Sequence, residues 1–320
     1  MLRALLLYLS QAGWARRIVT NWDLAWRAAS RFVAGEDLED AIRVIKILNE
    51  KNINATLDHL GEHTTTAEKA SQATKDIIQI IEAIDLHKIK SSVSIKLTQI
   101  GLDLDEKMCT ENLNKILHIA AEHKIFVRID MEDSQWVEKT LKIFRSARRD
   151  FPSDTIGIVI QSYLYRSEQD VSDLLANESR IRLCKGAYNE SEEIAYPKKP
   201  DVDRNFDRLV DLLINGALSN GTPIISEDGK IPPLPAIATH DEKRILYTKQ
   251  QVEKLSLPKE GIEFQMLHGI RRDLQESLAG EGYPVRVYVP YGSEWYPYFT
   301  RRLAESPANL WFFISNYFKL

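Results

Sequence analysis

From Gly35 onward, apolar residues follow two alternating rhythms. Stretches with apolar positions three and four apart predict amphipathic helices, and short continuous runs rich in Ile and Val predict buried strands. Eight strand-like runs can be read: Ile53–Leu57, Ser92–Leu97, Ile125–Ile129, Thr155–Ile160, Ser179–Cys184, Pro235–Thr239, Ile262–Met266 and Val285–Val289. Between them the helical spacing predicts helices that include Leu38–Asn49, Thr66–Ile84, Leu113–His123, Ser134–Arg149, Phe206–Leu218 and Asp241–Leu255. Parallel neighbours need a crossover between them and eight strands close a barrel, so the pattern predicts an α/β protein of the (β/α)8 TIM-barrel class. A doubly wound open sheet is the alternative.

The expected barrel domain spans residues 35–320, preceded by a helical arm over 1–34 whose Leu5, Leu9, Trp22 and Trp26 form apolar stripes in need of cover. The stretch from Ser219 to Pro235 breaks the rhythm with its Gly and Pro, which predicts a loop or hairpin inserted ahead of the sixth strand, at the bottom of the barrel. Residues 310–320 are strongly apolar but too few to span a bilayer, which favours packing on the barrel or a subunit contact.

Length and charge narrow the class. A chain of 320 residues with net charge −4, 28% charged and 44% hydrophobic residues has the composition of a soluble globular protein and carries no basic tract for nucleic acid. Its two cysteines, Cys109 and Cys184, are far apart and at no metal-ligand spacing, so neither a disulfide framework nor a zinc site is expected, and a reducing compartment fits. The apolar opening, residues 2–9, is interrupted by Arg3, is too short for a membrane span and precedes no convincing cleavage site. No Gly-rich nucleotide motif is present, so a nucleotide cofactor would have to be held by barrel loops.

Barrel enzymes carry their chemistry where strands end. Polar residues collect there: Lys96 and Thr98, Asp130 with Glu132 and Asp133, Gln161, Arg182 with Lys185, Thr239-His240-Asp241, Gln265 with His268, and Tyr288. Lys96 sits among apolar neighbours, where a buried ammonium needs a negative partner; it suits a Schiff base, an anionic ligand, or a pair with Asp130 on the next strand. Arg182 and Lys185 flank a Cys ahead of Gly186, and two cations beside a Gly suggest a phosphate. Glu132, Asp133 and Ser134 read as a helix cap, and His240 reads as a satisfied polar group when taken alone.

Near the end, Val285–Val289 leads through Pro290 and Gly292 into a short helix, with Ser293 and Pro297 marking its start. On that helix Tyr298, Arg301, Arg302 and Glu305 share one face. The two guanidiniums form a fork for one small carboxylate, with Glu305 fixing one of them. A solvated face with an ion pair would account for the charges alone; the aromatics Trp295, Tyr296, Tyr298 and Phe299 around them argue for a pocket.

Seven segments together carry a resemblance: Ser94-Ile-Lys-Leu-Thr-Gln-Ile-Gly-Leu-Asp103, Val127-Arg-Ile-Asp-Met-Glu-Asp-Ser134, Ile160-Gln-Ser-Tyr-Leu-Tyr-Arg166, Arg182-Leu-Cys-Lys-Gly-Ala-Tyr188, Ala238-Thr-His-Asp241, Phe264-Gln-Met-Leu-His-Gly269 and Tyr296-Pro-Tyr-Phe-Thr-Arg-Arg-Leu-Ala-Glu305. In this order they resemble the monofunctional bacterial proline dehydrogenases, over roughly residues 30–315. The resemblance implies a distorted barrel with the last helix over its mouth, FAD as cofactor, and oxidation of L-proline to 1-pyrroline-5-carboxylate with electrons passed to a membrane quinone. It implies Asp130 and Arg182 as catalytic-site groups, and Lys96, Leu267, Tyr288, Tyr298, Arg301 and Arg302 around proline. Met131, Gln161, Arg182, Lys185, Gly186, Ala187, Thr239 and His240 would hold FAD, with Glu305 supporting the Arg pair. A cytoplasmic protein in peripheral contact with the inner membrane face is the matching location; a homo-oligomer is compatible. Rival readings are a Schiff-base lyase using Lys96, a methylenetetrahydrofolate reductase type of flavin barrel, and a hydroxyproline enzyme. Two departures from the family are noted, the 219–235 insertion and Ser306 in place of the commoner Arg.

Overall fold

Every one of the eight apolar runs is a strand, with small shifts at the ends. The computed structural model describes Trp26 and residues 29–305, of which residues 301 and 303–305 by backbone alone. The strands are β1 (Asn54–His59), β2 (Ser91–Ile95), β3 (Val127–Ile129), β4 (Ile156–Gln161), β5 (Arg180–Cys184), β6 (Pro235–Ala238), β7 (Glu263–Leu267) and β8 (Val285–Tyr291). They are parallel and pair in sequence order, and β1 closes on β8 from Asn54↔Arg286 to His59↔Tyr291. That closure selects the TIM barrel over the open sheet.

Helix α1 (Leu38–Glu50) precedes β1. Helices α2 (Ala67–Leu86), α3 (Glu106–His123), α4 (Ser134–Asp150), α5 (Ser167–Leu175), α6 (Lys199–Ser219), α7 (Glu242–Lys254), α8 (Arg272–Gly280) and α9 (Trp295–Glu305) follow β1 to β8 in turn. The short α5 and α8 escape a periodicity reading because they bury few apolar residues, Val171 and Leu174 in one and Leu278 in the other. No helix among the described residues is long and apolar enough to cross a membrane.

Alternation along each strand divides the barrel into two environments. Ala55 and Leu57, Val93 and Ile95, Val127 and Ile129, Ile158 and Ile160, Ile181 and Leu183, Phe264 and Met266, and Val285, Val287 and Val289 join the helices in one buried apolar cluster. The intervening residues fill the interior and are largely polar, among them Ser92, Ser94, Arg128, Arg182, Glu263, Gln265 and Arg286. Barrel interiors are commonly packed with branched apolar side chains; here guanidiniums take that space. Gly157 makes room for one of them, since a Cβ there would lie 2.7 Å from Arg128 Nη1 and 2.5 Å from the Arg180 carbonyl oxygen.

A buried guanidinium must be saturated with acceptors to be tolerated. Arg286 meets that demand: it donates Nε and Nη2 to Glu263 at 2.9 and 3.0 Å, Nη1 to the Ala55 carbonyl and Ser92 Oγ, and Nη2 to the Gly229 carbonyl. Gly229 belongs to the Gly- and Pro-rich segment, and the carbonyl of Pro232 in the same segment accepts from Arg180. The segment therefore lies at the N-terminal ends of the strands, as expected, and supplies acceptors to the barrel floor.

At the opposite end the aromatic residues of α9 are buried. Trp295, Tyr296, Tyr298 and Phe299 pack with Ala29, Phe32, Val33 and Leu60 in a second apolar cluster. Trp26 meets Trp295 edge-on at 5.4 Å between centroids, so one of the predicted stripe residues covers the closing helix. Leu5, Leu9, Trp22, Ser306 and residues 310–320 lie outside the described residues.

The expected cap at Glu132, Asp133 and Ser134 is built differently. Asp133 occupies the N-cap position of α4 without a side-chain cap bond. Ser134 instead donates its N–H and hydroxyl to Glu190 of the β5–α6 loop, at 2.8 and 2.5 Å. Glu132 turns inward and accepts from Thr98 N–H at 3.1 Å and Thr98 Oγ1 at 2.5 Å, tying the loop after β2 to the start of α4.

Two predictions follow from buried charge. Arg286→Met leaves Glu263 without its counter-ion, at a cost of about 3–5 kcal/mol by analogy with other broken buried pairs; chemical denaturation measures it. Burial pushes the Glu132 carboxyl up to about 7 against the pull of the Thr98 hydrogen bonds. Below the unfolded-state value both states are protonated; above it only the folded state keeps the proton, so this group's contribution to stability is lost as pH rises through the folded value. Glu132→Gln keeps an acceptor for Thr98 and does not titrate. Its melting temperature relative to wild type should rise between about pH 5 and about pH 8; a pH-independent difference refutes the assignment.

Candidate active site

Six strands deliver polar groups to the barrel mouth, and these groups contact one another directly. Arg182 on β5 donates Nη1 to Asp130 Oδ1 at 2.8 Å, just past the end of β3. It also donates Nε to Gln265 on β7 and Nη2 to Ser94 on β2, so it reaches across the barrel. The other oxygen of Asp130 accepts from the Tyr288 hydroxyl on β8 at 2.7 Å, and the Arg182 guanidinium lies 5.4 Å from the Tyr288 ring centre. Asp130, Arg182 and Tyr288 are therefore brought together.

Lys96 departs from expectation in its partner. Its Nζ lies 3.4 Å from both carboxylate oxygens of Asp58 on β1, and it is Asp58, not Asp130, that forms the ion pair. Parallel strands on both sides of β2 offer a carboxylate, and the one on β1 takes the ammonium while Asp130 is already bound by Arg182. Burial alone would lower the Lys96 ammonium; the carboxylates of Asp58 and then Asp130 outweigh it and raise it above its ordinary value. A permanently charged lysine is a poor nucleophile, which counts against the Schiff-base reading. Asp58 lies one place beyond the predicted first run, which stops at Leu57; a polar residue at that strand end is the signal that finds it.

Around this centre the rim carries a second set. Gln161 ends β4; its Oε1 is buried without a hydrogen-bond partner, while its Nε2 reaches the Met131 carbonyl at 3.5 Å. His240, beyond β6, accepts through Nε2 from the Leu267 N–H at 3.0 Å. Burial, with the charges of Arg302 and Arg271, pushes its imidazole down to about 4. It is therefore neutral at physiological pH with the proton on Nδ1, which makes that nitrogen a donor. Thr239 Oγ1 accepts from the Asp241 N–H. Gly186, with φ of +105°, packs so closely on Tyr163 that a Cβ would come within 2.3 Å of the ring; Ala187 beside it is exposed.

Lys185 does not join Arg182 in a phosphate fork. Its Nζ lies 2.6 Å from Asp203 on α6 and 2.6 Å from Asp241 at the start of α7, whereas Arg182 bonds the interior groups Asp130, Gln265 and Ser94. Residues three apart near a strand end point to opposite faces, because side chains alternate with period two. On α9, Arg302 stacks on Tyr298, with its guanidinium carbon 5.2 Å from the ring centre, and its charge bears on His240 beyond the C-terminal end of β6. Arg301 and Glu305 fall on α9, but their side chains lie outside the described residues. Among the described residues no cluster of His, Cys, Asp or Glu could hold a metal ion, and Cys109 and Cys184 form no disulfide.

Comparison with known proteins agrees with the motif reading. Residues 41–314 match the family model described as proline dehydrogenase. The chain is 42% identical over 311 residues to "Proline dehydrogenase 2" of Bacillus subtilis, covering 97% of this chain and 96% of that one. It is 42% identical over 298 residues to "Proline dehydrogenase" of Deinococcus radiodurans, covering 92% and 91%. Among solved structures, proline utilization A (PutA) from Bdellovibrio bacteriovorus, inactivated by N-propargylglycine, superposes with a TM-score of 0.78 at 26% identity, over 88% of this chain and 33% of that one. The polar mouth of this barrel thus sits in a chain that belongs to the proline dehydrogenase family of oxidoreductases.

Proposed function

We propose that the protein oxidises L-proline to 1-pyrroline-5-carboxylate with FAD as cofactor and a quinone as the onward electron acceptor. The observation that carries this reading is the pairing of fixed charges at the mouth, Lys96 with Asp58 and Arg182 with Asp130, with Arg302 of the following helix α9 close enough for its charge to bear on His240 at the rim. Such a pocket suits a small zwitterion. Lys96 and the Arg301–Arg302 pair would take the carboxylate, Glu305 would support the Arg pair, and Leu267, Tyr288 and Tyr298 would wall the ring.

The residues of the rim suit an isoalloxazine. Gln161 has a buried acceptor awaiting an N–H, a group that the oxidised ring carries, and neutral His240 offers a donor on Nδ1. Met131, Gln161, Arg182, Lys185, Gly186, Ala187, Thr239 and His240 would hold the cofactor. FAD, when bound, supplies the hydride acceptor. The chain's own part is positioning: Asp130 fixes the Arg182 guanidinium and the Tyr288 hydroxyl, the carboxylate clamp orients the substrate from its far end, and the aromatic cluster of α9 keeps water out. A peripheral contact with the membrane would bring the protein to a lipid-borne quinone.

Two tests apply. Anaerobic L-proline should bleach the flavin absorbance, whereas pyrrolidine, which lacks the carboxylate, should not at equal concentration; borohydride trapping of substrate on Lys96 in flavin-free protein would instead favour a lyase. Arg302→Met should raise the KM for proline by about 100-fold or more, the loss of a charge-assisted contact of roughly 3 kcal/mol, while FAD stays bound. Loss of FAD with unchanged affinity for proline would show the assignment to be wrong. Tyr298, buried and held by Arg302, should crowd a substituent on the ring, so hydroxyproline should turn over much more slowly than proline; equal rates would refute this.

A further inference from the structure

Opposite charges in a low-dielectric interior pair wherever geometry lets them, and Lys96 and Asp130 stand on neighbouring strands. Yet they stay apart. Asp58, 1% exposed, faces Lys96 with both oxygens at 3.4 Å, and Asp130 keeps its two short bonds to Arg182 and Tyr288. Burial raises the Asp58 carboxyl above its ordinary value; Lys96 opposes that rise, and the charge of Asp130 adds to it.

Two cations and two carboxylates can be joined in two ways. With Asp58 present, Lys96–Asp58 and Arg182–Asp130 are separate pairs. Without it, the strongest remaining negative charge on the Lys96 ammonium is Asp130, ahead of Glu62. Lys96 would then swing onto Asp130 and compete with Arg182 and Tyr288 for its oxygens.

We propose that Asp58 is a positioning residue that holds the Lys96 ammonium away from Asp130, leaving Lys96 aimed at the substrate carboxylate and Asp130 free to fix Arg182 and Tyr288. The inference rests on the assignment of Lys96 to the carboxylate of proline, and it adds to that assignment the group that sets where the ammonium lies.

The test is a double-mutant cycle on FAD-loaded protein with Asp58→Asn, Lys96→Met and the double variant. Asp58→Asn should lower kcat/KM for L-proline by about 30-fold or more and raise the inhibition constant of cyclopentanecarboxylate, a ring acid without an amine, by about tenfold. In the Lys96→Met background the same change should cost less than about threefold, because the group it places is gone. Additive effects, or an Asp58→Asn protein within about twofold of wild type, overturn the proposal. If Asp58→Asn fails to fold, Asp58→Glu enters the same cycle: it keeps the charge but displaces the ammonium, and additivity is again the overturning result. If the wild-type flavin is not reduced by L-proline, the proposed reaction fails on its own account. The placement is then decided by a crystal structure of the Asp58→Asn protein, where Lys96 moved onto Asp130 supports it and Lys96 still beside position 58 overturns it.

Discussion

The constraint on which this barrel depends is the pairing of charges that have little access to water. A continuous path of contacts runs from floor to mouth: Arg286 to Glu263, Glu263 to Gln265, Gln265 to Arg182, Arg182 to Asp130, and Asp130 to Tyr288. Asp58 and Lys96 form a separate pair beside it at the rim. Each link satisfies a group whose isolation would cost several kcal/mol. Hydrophobic burial between strands and helices holds the barrel closed, but the polar interior determines which side chains can stand where at its opening.

That division also explains how a helix can be laid over the mouth. The apolar face of α9 buries Trp295, Tyr296, Tyr298 and Phe299 against Ala29, Phe32, Val33 and Leu60, while Trp295 donates its ring N–H to Glu36 at 3.2 Å. Tyr298 does both, packing in the cluster and carrying Arg302 on its ring.

Much of this was legible before any coordinates. The strand runs are visible because their helix-facing positions are apolar with few exceptions, such as His59 and Ser91, and the mouth residues because polar side chains end those runs. Asp130, Arg182 and Tyr288 stand among those strand-end residues; their roles around a substrate come from the resemblance. What was not legible is the choice among partners. Lys96 has a carboxylate on either side, and only the closed geometry and the prior claim of Arg182 on Asp130 decide for Asp58. Lys185 and Ser134 find their partners, Asp203 with Asp241 and Glu190, across distances in sequence that no local pattern encodes. The short helices α5 and α8 were missed for a different reason, their few apolar contacts.

The segment on the barrel floor has an evolutionary corollary. Surface connections usually shorten or lengthen freely, but this one lends the carbonyls of Gly229 and Pro232 to Arg286 and Arg180. A descendant that trimmed it would take one acceptor from each of two buried guanidiniums, so the loop's length and the residue types at positions 180, 263 and 286 are expected to drift together.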